Sequence, residues 1–161
     1  MTLFQQESKY LMNTYATLPI EIAYGQGSYL FDKNNKKYID FTSGIGVNSL
    51  GYNNSEWKNS IISQLNNFQH LSNIFTNNST VSLAKKLCEL SGMSKVFFAN
   101  SGAEANECAI KLARKYSTDK YNENRTKIIT LVNSFHGRTV TTLAATGQDI
   151  FHWNNLSMAE H

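Results

Sequence analysis

Proline is almost missing from this chain, with Pro19 the only one in 161 residues. That excludes a polyproline or collagen-like molecule and leaves glycine and asparagine to mark the turns. Cysteine is scarce as well. Cys88 and Cys108 fall on amphipathic helical patterns, and neither has a second thiol or a histidine at ligand spacing. Neither a disulfide framework nor a metal centre is therefore expected, and two buried free thiols in a reducing cytoplasm fit best. No apolar run is long enough to span a bilayer, and Gln5, Gln6, Glu7 and Lys9 break any signal-peptide core, so no membrane role is expected. Charge of one sign is in short supply. The net charge of +3 is small and scattered, too little for a nucleic-acid surface, and the densest basic cluster, Lys33, Lys36 and Lys37, reads as a solvated turn. Neither G-x-x-x-x-G-K-[ST] nor G-x-G-x-x-G occurs, which counts against a generic nucleotide-binding domain.

What is present suits a soluble globular chain with a core, at 41% apolar and 17% charged residues. Residues 3–15 read as a short helix. Ser28–Asp32 and Lys37–Phe41 alternate apolar and polar about a turn, the pattern of a hairpin or meander. Gly44, Gly46 and Gly51 punctuate a loop. Residues 56–68 place Trp57, Ile61, Leu65 and Phe68 on one helical face. A helix over 79–90 buries Val81, Ala84, Leu87 and Cys88, with Gly92 as its stop. A strand at 95–99 leads into a helix from Gly102 that buries Ala105, Cys108, Ala109, Leu112 and Tyr116. A second apolar strand at 127–132 feeds a third helix from Thr139. Apolar strands alternating with helices indicate an α/β fold with parallel pairing, in which ligands bind beyond the carboxyl ends of the strands.

Two turns lie at those ends. In Asn100-Ser101-Gly102-Ala103-Glu104-Ala105-Asn106-Glu107 a strand turns sharply into a helix. The helix start offers unpartnered N–H groups and partial positive charge, Gly102 and Ala103 leave room for a phosphate, and the Ser101 hydroxyl adds a donor. The plainer reading is a capping box of Ser101 and Glu104. The second turn is Asn133-Ser134-Phe135-His136-Gly137-Arg138, which sets an aromatic ring and an arginine at the same sheet edge.

With Leu11-Met12-Asn13-Thr14-Tyr15, the run from Asp40 to Gly51 and Ala144-Ala145-Thr146-Gly147-Gln148, these turns make the chain resemble the class III pyridoxal-phosphate-dependent aminotransferases. The resemblance runs from about residue 8 to 152. It implies a fold-type I transferase, with 1–50 as the start of a small α+β domain and 51–152 as the first half of the cofactor-binding domain. Residues 153–161 depart from the family, as after a truncation or frameshift.

By the same resemblance, Ser101, Gly102 and Ala103 hold the phosphate of pyridoxal 5'-phosphate, and Phe135 stacks on its ring. Arg138 pairs with the substrate α-carboxylate through its two-pronged face. Tyr15 reaches the substrate's polar end. Ile45, where ornithine-specific members tend to carry tyrosine, leaves an apolar wall that favours an acylated substrate. His136 serves as structural support. The implied reaction moves the δ-amino group of N-acetylornithine to 2-oxoglutarate, in arginine biosynthesis, within a cytoplasmic homodimer. Members acting on ornithine, succinylornithine or 4-aminobutyrate are the alternatives, and a non-enzymatic interaction fragment is a further one. No lysine of this chain matches the Schiff-base lysine of the family. The chain is therefore expected to be inactive alone, marginally stable and left with open apolar faces.

Overall fold

A computed structural model describes residues 1–121 and 125–151 of the chain. The expectations for the tail at 153–161 lie outside the described residues. The chain divides into two compact units, Met1–Phe75 and Thr76–His161.

The first unit starts with α1 (Leu3–Tyr10), opened by a Thr2/Gln5 capping box. The helix was expected to reach residue 15 but stops at Leu11, whose backbone is extended. The Thr14 N–H and hydroxyl both bond to the Met12 carbonyl, a local alternative that competes with further helix. An antiparallel meander follows: β1 (Ile22–Gln26), β2 (Tyr29–Asp32) and β3 (Lys37–Ile39), in the order β1-β2-β3. The sequence pattern had not marked β1, whose alternation is interrupted by Gly25 and by a register shift between Ile22 and Tyr24. Gly25 is there for space, because a Cβ would lie 2.4 Å from the Tyr52 ring. Asp32 closes the β2–β3 turn by accepting the N–H groups of Asn34 (2.8 Å) and Lys36 (2.9 Å). Next, α2 (Ser55–Leu65) is capped by Asn54. It ends three residues before Phe68, where the side-chain amides of Gln64 and Gln69 take terminal carbonyls at 3.1 and 3.2 Å.

In the second unit, α3 (Asn78–Ser91) is capped by Asn77 and closed by Gly92 in the left-handed region (φ 71°), as the sequence indicates. The helix from Gly102, α4, extends to Tyr121. The six-residue α5 (Val140–Ala145) starts on Thr139, and a 3-10 turn spans Asp149–Phe151.

Two expectations fail here. Residues 95–99 and 127–132 join no ladder among the described residues, so the expected parallel pairing is not formed. A strand acquires its ladder only from a neighbour about 4.8 Å away, and neither segment has one. The helical faces expected to be buried are also open. Val81 is 53%, Leu112 66% and Tyr116 53% exposed, while Cys88 and Cys108 are half-buried. Ile129 and Val132 are exposed as well, as expected of a chain whose sheet lacks neighbours. Two separate folded proteins of half this mass would expose about 9,800 Å² between them; this chain exposes 14135 Å².

The well-packed centre of the second unit lies elsewhere, on the opposite stripe of α4. Ile110 is buried there, and Thr142 and Thr146 of the α5 region are fully enclosed, at 0% and 1% exposure. No helix among the described residues is long and apolar enough to cross a membrane.

Candidate active site

The start of α4 is built as a capped N-terminus. The Ser101 hydroxyl oxygen accepts the Glu104 N–H at 3.2 Å, and the Glu104 carboxylate accepts the Asn100 N–H at 2.7 Å. The capping reading is therefore realised, with the carboxylate reaching one residue further back than in the usual box. Capping leaves room for an anion. The N–H groups of Gly102 and Ala103 have no intrahelical acceptor, and Glu104 takes neither of them. A Cβ placed on Gly102 would meet nothing within 4 Å, so a phosphate has an open approach. The 20-residue helix adds the positive end of its dipole. These donors and this space fit a phosphate group.

The second turn sits directly on the first turn of α4. Gly137 is buried with φ 132°, and a Cβ there would lie 2.7 Å from the Ala103 Cβ and 2.7 Å from the Thr142 hydroxyl. Only glycine combines that backbone angle with that approach. The turn is fastened on both sides. The Asn106 amide donates to the His136 carbonyl at 2.8 Å, and the His136 N–H donates to the Thr146 hydroxyl at 3.1 Å. Thr139 donates its hydroxyl proton to Glu107 at 2.5 Å and lies 2.7 Å from the Thr142 hydroxyl. Behind the turn, Asn133 N–H donates to the Gly147 carbonyl (2.8 Å) and Gly147 N–H to Ser134 (2.9 Å).

This arrangement brings Ser101, Gly102, Ala103, Phe135 and Arg138 into one neighbourhood. Phe135 is 56% exposed, with its ring 5.8 Å from the Arg138 guanidinium carbon. An anion seat and an aromatic ring with a guanidinium over it lie in one turn-and-helix unit, residue types that suit a phosphorylated ring and a carboxylate. His136 is bonded through its backbone carbonyl and N–H, and its ring Nδ1 lies 3.4 Å from the Ser134 hydroxyl. The sequence reading missed Asn106, Glu107, Thr139, Thr142 and Thr146. One available signal was Thr139-x-x-Thr142, which forms a capping box in which each side chain bonds to the other residue's backbone. Nothing in the sequence linked Glu107 to a residue 32 positions later.

Tyr15 and Ile45 belong to the first unit. Tyr15 borders a cavity of about 410 Å³ lined also by Phe4, Glu7, Leu11, Met12 and Thr14. Ile45 is 95% exposed at φ 59°, within four consecutive residues, Ser43 to Gly46, that are all left-handed. The turn closes with bonds from the Ile45 N–H (2.7 Å) and the Gly46 N–H (3.3 Å) to the Thr42 carbonyl. A β-branched residue in that region is strained. Asp40 anchors the loop, accepting the Thr42 hydroxyl (2.6 Å), the Thr42 N–H (2.8 Å) and the Tyr52 hydroxyl (2.7 Å). These bonds, foremost the Thr42 hydroxyl and then Tyr52, hold the Asp40 carboxyl below its ordinary range, and the same carboxylate pushes the Tyr52 phenol up.

Comparison with known proteins accords with this geometry. The family described as aminotransferase class-III matches residues 10–161. Acetylornithine aminotransferase of Haemophilus ducreyi is 55% identical over 148 residues, covering 92% of this chain and 38% of that protein. Succinylornithine transaminase of Photorhabdus laumondii is 50% identical over 123 residues, covering 76% and 31%. The structure superposes on ornithine aminotransferase of Toxoplasma gondii with a TM-score of 0.88 and 28% identity, over 95% of this chain and 36% of that one. The chain thus spans about a third of the length of the relatives it matches. Its fold is the corresponding portion of a fold-type I transferase, and the cofactor this implies is pyridoxal phosphate. On the matched sequence and the superposed fold together, the chain belongs to the class III aminotransferases.

Proposed function

We propose that the chain is the N-terminal part of an acetylornithine aminotransferase. The observation that carries this is the seating of Gly137 on Ala103, which joins the anion seat to Phe135 and Arg138 in one site. Ser101, Gly102 and Ala103 hold the phosphate, and Phe135 keeps the cofactor ring in plane. Arg138 takes the substrate α-carboxylate in a paired, charge-assisted contact. Tyr15 and Ile45 keep the substrate roles that the family resemblance implies, the apolar Ile45 suiting an acyl group. Bound pyridoxal phosphate supplies the electron sink for moving an amino group from N-acetylornithine to 2-oxoglutarate. The 55% identity to an acetylornithine enzyme supports this substrate, and the similarity to a succinylornithine transaminase makes the succinyl analogue the second reading.

The chain alone is inactive in this reading, because none of its lysines bears the cofactor. On α4, Lys115 bonds to Asp119 at 2.6 Å and Lys120 to the Tyr116 hydroxyl at 2.7 Å, both at exposed positions. The intact enzyme is a cytoplasmic homodimer of the arginine pathway. The test is a pyridoxal-phosphate titration of the purified chain, read by visible absorbance before and after borohydride. Saturable binding with no lysine fixed by reduction is the expected result. One specific lysine found modified by mass spectrometry would overturn the assignment of inactivity.

A further inference from the structure

We propose that Glu107 and Asn106 are positioning residues, which clamp the 135–138 turn onto the first turn of their own helix and so fix Phe135 and Arg138 in register with the anion seat. Both lie about one turn beyond Ala103, on the stripe of α4 that also carries the buried Ile110 one turn further on. Each reaches one end of the turn. Asn106 donates to the His136 carbonyl at 2.8 Å and Glu107 accepts from the Thr139 hydroxyl at 2.5 Å.

Proton counting sets the direction of the second link. A carboxylate only accepts, and a threonine hydroxyl has one proton to give. Thr139 gives it to Glu107, which leaves its oxygen free to receive the Thr142 N–H (3.3 Å) and to pair with the Thr142 hydroxyl (2.7 Å). The Thr142 oxygen receives the Thr139 N–H at 3.1 Å. Thr142 is fully buried, so the chain that starts at the Glu107 charge ends in the enclosed centre of the unit. The two bonds span 30 and 32 residues of sequence, and with the seating of Gly137 on Ala103 they tie the turn to α4.

The occupant of the anion seat rests on the reading given under Proposed function; the clamp does not. The test uses the full chain with Asn106→Ala, Glu107→Ala, Glu107→Gln, Thr139→Val and Thr139→Ser. Binding of inorganic phosphate and of pyridoxal phosphate is measured separately, along with the nuclear Overhauser contact between the Gly137 Hα and the Ala103 methyl.

Asn106→Ala, Glu107→Ala and Thr139→Val are expected to lose that contact and weaken pyridoxal phosphate about tenfold or more, with inorganic phosphate affinity unchanged. Thr139→Ser restores both, and Glu107→Gln, still an acceptor, stays within about threefold of wild type. Retention of the contact and of both affinities in all the variants would overturn the proposal. So would equal loss of both ligands together with the helicity of α4, which marks a merely structural role. If the unaltered chain binds no pyridoxal phosphate, the family site fails for this chain. The methyl contact then still decides the clamp. A variant that does not fold is judged by Thr139→Ser against Thr139→Val, which differ chiefly in the hydroxyl.

Discussion

Replacing Gly137 by alanine tests the packing on which the whole site depends. The new methyl group would sit 2.7 Å from the Ala103 Cβ, 3.0 Å from its Cα and 2.7 Å from the Thr142 hydroxyl. None of these neighbours is a flexible tip. Ala103 is on the first turn of α4, and Thr142 is fully enclosed with its hydroxyl already bonded. Overpacking of this kind costs about 1–3 kcal/mol, and a left-handed backbone forced on an L-residue adds about 1–3 kcal/mol. Partial relaxation leaves a net loss of about 2–4 kcal/mol, equivalent to local opening roughly 30- to 700-fold more frequent. Native-state hydrogen exchange at the amides of His136 and Thr142 reads this directly, since both donate within the affected region. Gly102→Ala is the control. Its methyl meets open space, so exchange stays at the wild-type rate or slows slightly as alanine favours the helix. Protection within about threefold of wild type in Gly137→Ala would refute the argument that this contact sets the turn.

Ile45→Gly removes a strained β-branched residue whose side chain is 95% exposed and packs on almost nothing. The first unit should gain about 1 kcal/mol against urea, whereas Ile45→Ala, still an L-residue at φ 59°, should gain far less. Ser101→Ala deletes the cap that receives the Glu104 N–H, so α4 should lose about 1 kcal/mol by thermal or urea melting, and inorganic phosphate should bind more weakly in a phosphorus NMR titration. The pH dependence of the first unit follows from Asp40 and Asp32, both held below the ordinary carboxyl value of 3.8. Their contribution is complete above that value and is lost as pH falls through the lower folded values. Asp40→Asn should therefore flatten the acid limb of a stability–pH profile below about pH 4. Tyr52, raised above 10.0 chiefly by its bond to Asp40, adds stability that is lost as pH rises past that value, and Tyr52→Phe should remove this alkaline limb.

Much of the local architecture was legible in order. The capping signal at Ser101, the helix start at Thr139, the Gly92 stop and the alternation at 29–32 and 37–39 are local, and local bonds realise them. The ends of α1 and α2 were overshot because the Thr14 N–H turns to the Met12 carbonyl at the first and the last turn tightens at the second, where the Asn67 N–H takes the Gln64 carbonyl. The burial pattern was misread for a different reason. The sequence marks Ala105, Cys108, Ala109, Leu112 and Tyr116 as one apolar stripe of α4, and that stripe lies largely open, while Ala103, Asn106 and Glu107 on the other side meet the 136–139 residues and Ile110 there is buried.

Periodicity therefore determined that α4 is amphipathic, and the motifs singled out the residues proposed to carry the site's chemistry. What the sequence alone could not decide was which stripe finds a partner, or that Glu107 meets Thr139 across 32 residues. Those depend on which surfaces approach one another, and a hydroxyl, a carboxylate or a glycine acquires its role only when a distant segment arrives within bonding distance of it.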